Sequence, residues 1–101
     1  MKLLRTNNDG VIRAWRRGDP ARNSRRSLYT DGKHLFSYHL VIGAHTGNTC
    51  VVADYTAATG SFQTQTTSCH VGLAKRAADL VMHPRVWMVS PLSKTNEEVP
   101  F

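Results

Sequence analysis

Residues 34–42, His-Leu-Phe-Ser-Tyr-His-Leu-Val-Ile, constrain this chain more than any other stretch. Strand side chains repeat every two residues, so Phe36, Tyr38, Leu40 and Ile42 fall on one side of an extended segment. Just before it, Asp31-Gly32 separates residues 27–30 from the strand, and both residue types accept the left-handed backbone of a tight turn. After it, residues 43–48 read as a loop and residues 49–55 (TCVVADY) as an apolar, β-branched strand. Closed symmetrically, that hairpin sets Ile42 opposite Cys50 and Leu40 opposite Val52. Phe36, Leu40, Ile42, Cys50 and Val52 then form one apolar sheet face, the expected core. The opposite face, with Ser37, His39, Val41, Val51 and Tyr55, is mixed.

The flanks are read in the same way. Residues 3–6 and 11–16 bracket Asn7-Asn8-Asp9-Gly10, which predicts a first hairpin. Residues 18–24 are a loop by composition. Residues 61–66 suit a short polar strand. Thr66, Thr67 and Ser68 supply hydroxyls that cap the free amides of a helix over about residues 69–82, with Val71, Ala74, Ala78 and Val81 on its apolar stripe. His83-Pro84 ends that helix, because the residue before proline disfavours helical backbone. Residues 85–89 (RVWMV) read as a last strand and residues 90–101 as a tail. The expected fold is α+β: a small antiparallel β-meander sheet packed on one α-helix. It forms a single domain over residues 1–101, with a basic arm (1–33), a sheet-helix body (34–89) and the tail.

With 101 residues and 41% of them apolar, the chain can bury one modest core. No run of eighteen apolar residues is present, and the N-terminus lacks the apolar stretch of a signal peptide. Cys50 and Cys69 have no CxxC spacing and are expected as reduced thiols of a cytoplasmic protein.

Over residues 28–76 the chain resembles a group of small uncharacterised bacteriophage proteins. The resemblance is carried by Leu28-Tyr29, the Asp31-Gly32 turn, Ser37-Tyr38, Ile42, Val51-Val52, and the run Thr66-Thr67-Ser68-Cys69-His70 that opens a helix. It implies a viral origin, hence a host cytoplasm, and an α+β fold. It carries no activity, and the basic arm lies outside it.

Charge gives the functional lead. Residues 2–33 hold nine of the thirteen basic side chains and three of the seven acids, so the whole +6 sits in the first third. Strand alternation over residues 11–17 would put Arg13, Trp15 and Arg17 on one face. Guanidinium groups pair with phosphate oxygens, and an indole between them stacks on a base. Arg16, Arg22, Arg25 and Arg26 extend the patch. The function expected is that of a non-enzymatic phage-type accessory protein binding nucleic acid through Arg13, Trp15, Arg16, Arg17, Arg22, Arg25 and Arg26. The plain alternative is a solvated basic face.

A second class is a viral inhibitor or adaptor whose arm meets an acidic surface of a host protein, such as a defence complex, in the manner of an anti-CRISPR protein. An exposed sheet edge would permit a homodimer. A third is a small metal-free ribonuclease using His70 or His39, with Asp54 near Tyr38 or His70 as the best acid-base set.

Thr66, Thr67, Ser68 and His70 form a candidate anion site, since a helix N-terminus favours negative charge; the plainer reading is a capping turn with Cys69 packed inward. The histidines and cysteines show no metal-ligand spacing, and no cofactor motif is present. Asp9, Asp19 and Asp31 read as turn residues and Asp79 as a surface charge on the helix.

Overall fold

The computed structural model of the chain describes residues 4–55 and 64–93. Its framework is one seven-stranded mixed sheet whose strands follow one another in chain order. The strands are β1 (Leu4–Arg5), β2 (Pro20–Arg22), β3 (Leu28–Asp31), β4 (His34–Ser37), β5 (Leu40–Thr46), β6 (Thr49–Ala53) and β7 (Leu80–Met82). Helix α1 (Asn8–Arg17) joins β1 to β2, α2 (Gln65–Ala77) lies between β6 and β7, and α3 (Pro84–Val89) is followed by a 3₁₀ turn at Pro91–Ser93. The outer pairs β1–β2 and β6–β7 are parallel, and the pairs between β2 and β6 are antiparallel. The α+β class therefore holds at its coarse level. The meander is only the middle of a mixed sheet, and parallel edges need crossovers, which α1 and α2 supply.

The first correction is at α1, expected as half of a hairpin. Asn7 caps the helix, its Oδ1 accepting from Gly10 N at 2.8 Å, and Gly18 ends it in the left-handed region at φ 80°. Val11, Ile12, Ala14 and Trp15 are buried while Arg13, Arg16 and Arg17 point outward, a helical and not an alternating division. Gly10 is required for packing: a Cβ there would run into Thr6.

The stretch expected as one long strand is itself a hairpin. It breaks at Tyr38, whose φ of 55° reverses the chain between β4 and β5. Tyr38 N donates to the Ser27 carbonyl at 2.8 Å and its own carbonyl accepts from Tyr29 Oη at 2.5 Å, which holds the reversal. The next hairpin is tighter than expected. Its strands continue to Gly47-Asn48, and the register pairs Gly43 with Val52 and His45 with Cys50. This register lies three residues from the symmetric one. Cys50 therefore shares a face with His45, not with a partner Ile42. Ile42 is buried nonetheless, because both faces of the sheet are covered.

Register fixes those faces. Leu28 pairs with Ser37, Thr30 with Leu35, and Leu35 with Gly43, whose β6 partner is Val52. This is the helix side: Ser37 meets Thr67 and His70 of α2, and a Cβ on Gly43 would lie 2.9 Å from the Trp15 ring. Helices α1 and α2 also pack on each other there. The reverse face carries Tyr29 stacked on Phe36 with ring centroids 4.9 Å apart, and His34 in line with Ala44 and Val51.

Helix α2 starts and ends earlier than expected. Thr64 is its cap, accepting from Thr67 N at 3.1 Å, so Thr66, Thr67 and Ser68 lie inside the first turns. Its buried stripe is Thr67, His70, Val71 and Ala74. Residues 80–82 leave the helix for the sheet. Asp79 enforces this, since its N donates to the Cys50 carbonyl at 2.8 Å and its Oδ2 accepts from Cys50 N at 2.9 Å. Asp79 is thus a structural anchor and not a plain surface charge.

The expected last strand is helix α3. His83 caps it through Nδ1, Pro84 supplies the pre-set first φ, and Trp87 is buried with its Nε1 donating to the Val41 carbonyl at 3.0 Å. The polar strand expected at residues 61–66 lies outside the described residues up to 63, and its remainder is the start of α2. Residues 94–101 of the expected tail also lie outside them. No helix among the described residues is long and apolar enough to cross a membrane.

Candidate nucleic-acid interface

The fold brings three segments to the carboxyl ends of the parallel pair β1–β2, where open sheets commonly bind ligands. They are the β1–α1 connection, the β2–β3 loop and the first turns of α2. Between them lies a cleft of about 540 Å³ lined by polar groups that include Asn8, Asp9, Ser24, Arg25, Thr66 and His70.

Asn23 ties the two loops together. Its Nδ2 donates to Asn8 Oδ1 and to Ser27 Oγ, each at 2.9 Å, and its Oδ1 accepts from Ser27 N at 2.9 Å. A short amide thereby satisfies a turn that would otherwise expose its own backbone.

His70 is the wall on the α2 side. It is 2% exposed, its Nδ1 lies 2.8 Å from Ser37 Oγ, and that hydroxyl lies 2.9 Å from Thr67 Oγ1. Burial pushes the imidazole below its usual range, so the ring is neutral at pH 7. With Nδ1 taken by Ser37, the ring's remaining polar atom is Nε2. Tyr38, 48% exposed, lies beside His70 with ring centroids 6.4 Å apart and the rings tilted by 41°.

A second cleft, of about 260 Å³, adjoins the first. The two share Asp9 and Leu73, and the second is lined also by Arg13 and Arg76. Together they make a groove along the α1–α2 seam with Arg25 in one part and Arg13 and Arg76 in the other. Asp9 is the one acid lining either part.

The residues expected to form the interface divide. Arg13 and Arg25 line the groove, and Arg26 is exposed on the β2–β3 loop at φ 58°. Arg16, on the exposed face of α1, is already engaged within the protein, donating to the Ala77 carbonyl and lying 4.0 Å from Asp79. Arg17 pairs with Asp19 at 3.2 Å, and half-buried Arg22 donates to the Asn23 carbonyl at 3.1 Å. Trp15 is the clear correction. It is 0% exposed and its Nε1 donates to the Lys33 carbonyl at 3.2 Å, so its ring is core and offers no face to a base.

The candidate anion residues are also split by the helix. Thr66 faces the cleft, Thr67 and His70 point inward to Ser37, and the Ser68 amide is satisfied by the Thr64 carbonyl. Cys69, expected inward, is exposed; Cys50 is buried, with its thiol pushed up chiefly by that burial. Asp54, considered as an acid for catalysis, pairs with Lys75 at 3.3 Å. Asn8, Asn23, Ser37 and Arg76 were not singled out by the sequence. Ser37 and His70 stand 33 residues apart, and no spacing rule connects them.

Among the described residues, no group of three or more His, Cys, Asp or Glu is placed to hold a metal ion. No protein-family model, curated protein or solved structure matches the chain.

Proposed function

We propose that this protein binds single-stranded nucleic acid along the α1–α2 groove, as a non-enzymatic accessory protein of the phage type that its sequence resembles. One observation carries the reading: Arg25, Arg13 and Arg76 follow one another along two adjoining clefts that have a single acid between them. Guanidinium forks suit phosphate oxygens, and a row of them tracks a backbone without reading its sequence. A duplex is too broad to enter a seam between two packed helices, whereas a single strand can follow it.

The number of available arginines sets the salt response. Arg16, Arg17 and Arg22 already have partners within the protein, so three groove contacts are expected. Log affinity for a single-stranded oligonucleotide should fall against log salt with a slope of about −2. Arg13→Gln, Arg25→Gln and Arg76→Gln should each flatten that slope, and Arg17→Gln should leave it unchanged. A flat slope for the unaltered protein, or no binding at low salt, rejects the reading.

A second reading is favoured by exposed apolar side chains on β7 and α3. They are Leu80 and Val81 of β7 and Val86, Met88 and Val89 of α3, which suits docking on a host protein. Retention of a partner after nuclease treatment, with loss on Val86→Lys or Val89→Lys but not on Arg13→Gln, distinguishes this reading from the first.

A further inference from the structure

The larger cleft differs from the rest of the groove. Alongside a guanidinium its lining includes a nearly buried imidazole, and beside that imidazole, next to the lining residues, stands the half-exposed ring of Tyr38, features that a site for bare phosphate does not need. Tyr38 is held there at some cost. A tyrosine in the left-handed region is uncommon, and two hydrogen bonds, from its N to Ser27 and to its carbonyl from Tyr29, keep it in place with its ring in solvent. Ser27, whose carbonyl Tyr38 N bonds, belongs to the cleft wall, and so does His70, whose ring lies 6.4 Å from the Tyr38 ring.

We propose that this cleft is a subsite for one nucleotide, with the base stacked on Tyr38, its polar edge met by His70 Nε2 and the Asn8 side-chain amide, and its phosphate held by Arg25. The inference rests on the groove reading and deepens it. Tyr38 takes the stacking role that the sequence suggested for Trp15. The Ser37 hydroxyl on Nδ1 fixes the His70 ring, and Asn23 on Asn8 Oδ1 leaves the Asn8 NH₂ as the group able to donate. Both hydrogen-bonding partners are therefore pre-oriented, which lowers the entropy lost on binding. A cleft of about 540 Å³ falls within the usual size of small-ligand sites.

The test titrates the full chain with adenosine 5′-monophosphate, uridine 5′-monophosphate and inorganic phosphate by calorimetry, and with a single-stranded oligonucleotide by anisotropy. Tyr38→Asn removes the ring while keeping a residue that tolerates this backbone, and Tyr38→Phe keeps the ring. Mononucleotides should bind more tightly than phosphate. Tyr38→Asn should weaken them by about ten-fold or more, the usual effect of losing one base–aromatic stack, and Tyr38→Phe should restore them. His70→Asn should weaken mononucleotides but not phosphate, and Arg25→Gln should weaken both.

Equal binding of phosphate and mononucleotides, or full affinity in Tyr38→Asn, overturns the subsite. If the oligonucleotide still binds with the expected salt slope and dependence on Arg13 and Arg76, the subsite fails and the groove stands. If the oligonucleotide does not bind but mononucleotides depend on Tyr38, the groove fails and the cleft stands as a site for free nucleotides.

Discussion

The exchange of a proton at His70 is opposed by its surroundings. Its ring is almost wholly withdrawn from water, and that burial lowers its affinity for a proton relative to the unfolded chain. The unfolded state then binds more protons as pH falls below the ordinary histidine value of about 6.5, so stability is full above that value and declines below it. Thermal unfolding followed from pH 7.5 to 5 should show this decline, and His70→Asn, which can keep a bond to Ser37, should make it shallower. An unchanged pH profile in that variant would remove His70 as its source. The two thiols give a second contrast at this scale. Cys69 is exposed on α2, whereas Cys50 is buried with its thiol pushed up by that burial. A thiol reagent should modify Cys69 rapidly in the folded protein and reach Cys50 only after unfolding; equal rates at both would contradict the packing of β6.

At the scale of elements, α1 packs on β2 and β3 and reaches β5 through the Trp15 ring. The Trp15 ring lies over Gly43, where an added Cβ would come within 2.9 Å of it and 3.1 Å of the Val51 carbonyl. Trp15→Ala should cost about 3–5 kcal/mol in denaturant unfolding. Gly43→Ala should cost about 1–3 kcal/mol by overpacking. Because the two changes relieve one another, the double variant should be more stable than the sum of the single costs predicts. Strict additivity would mean that the ring does not rest on that glycine. Overlapping periods explain why α1 was hard to read. Arg13, Trp15 and Arg17 alternate as a strand would, while Val11, Ile12, Ala14 and Trp15 also make a helical face, and over so short a segment both periods fit. The Asn7 cap and Gly18 end were visible as residue types, but Asn-Asp-Gly suggested a turn equally well. The Asp31-Gly32 turn and the apolar β6 were legible because their chemistry is local. The reversal at Tyr38 depends on hydrogen bonds to Ser27 and Tyr29, and the early end of α2 on Asp79 meeting Cys50, so neither is encoded near its own position. The cleft was legible only in parts. Arg25, Thr66 and His70 were noted, but nothing in their spacing places them around one space.

Across the whole molecule, the sheet should open from its edges. The central strands are antiparallel and lie between paired neighbours, whereas β1 and β7 are two- and three-residue parallel strands at the two ends. Opening either edge exposes few buried groups: Leu4, Arg5, Leu80 and Val81 are already exposed, while Leu35, Val52 and Trp15 are sealed in the middle. Hydrogen exchange should therefore be slowest in β4, β5 and β6 and faster at β1 and β7, since local opening costs less where little apolar surface is gained by solvent. The edge at β1 also leads into Thr6 and Asn8 of the cleft, and Thr6 N extends the β1–β2 ladder by donating to the Arg22 carbonyl at 2.9 Å. A ligand that joins the β1–α1 connection to the β2–β3 loop must hold that edge closed. Adding a mononucleotide should slow exchange at Thr6 and across residues 23–27 while leaving β7 as it was, because ligand binding stabilises only the openings that would break its site. Equal slowing at both edges would indicate a general rise in stability instead of a ligand seated at β1, and slowing at β7 alone would move the site to the opposite end of the sheet.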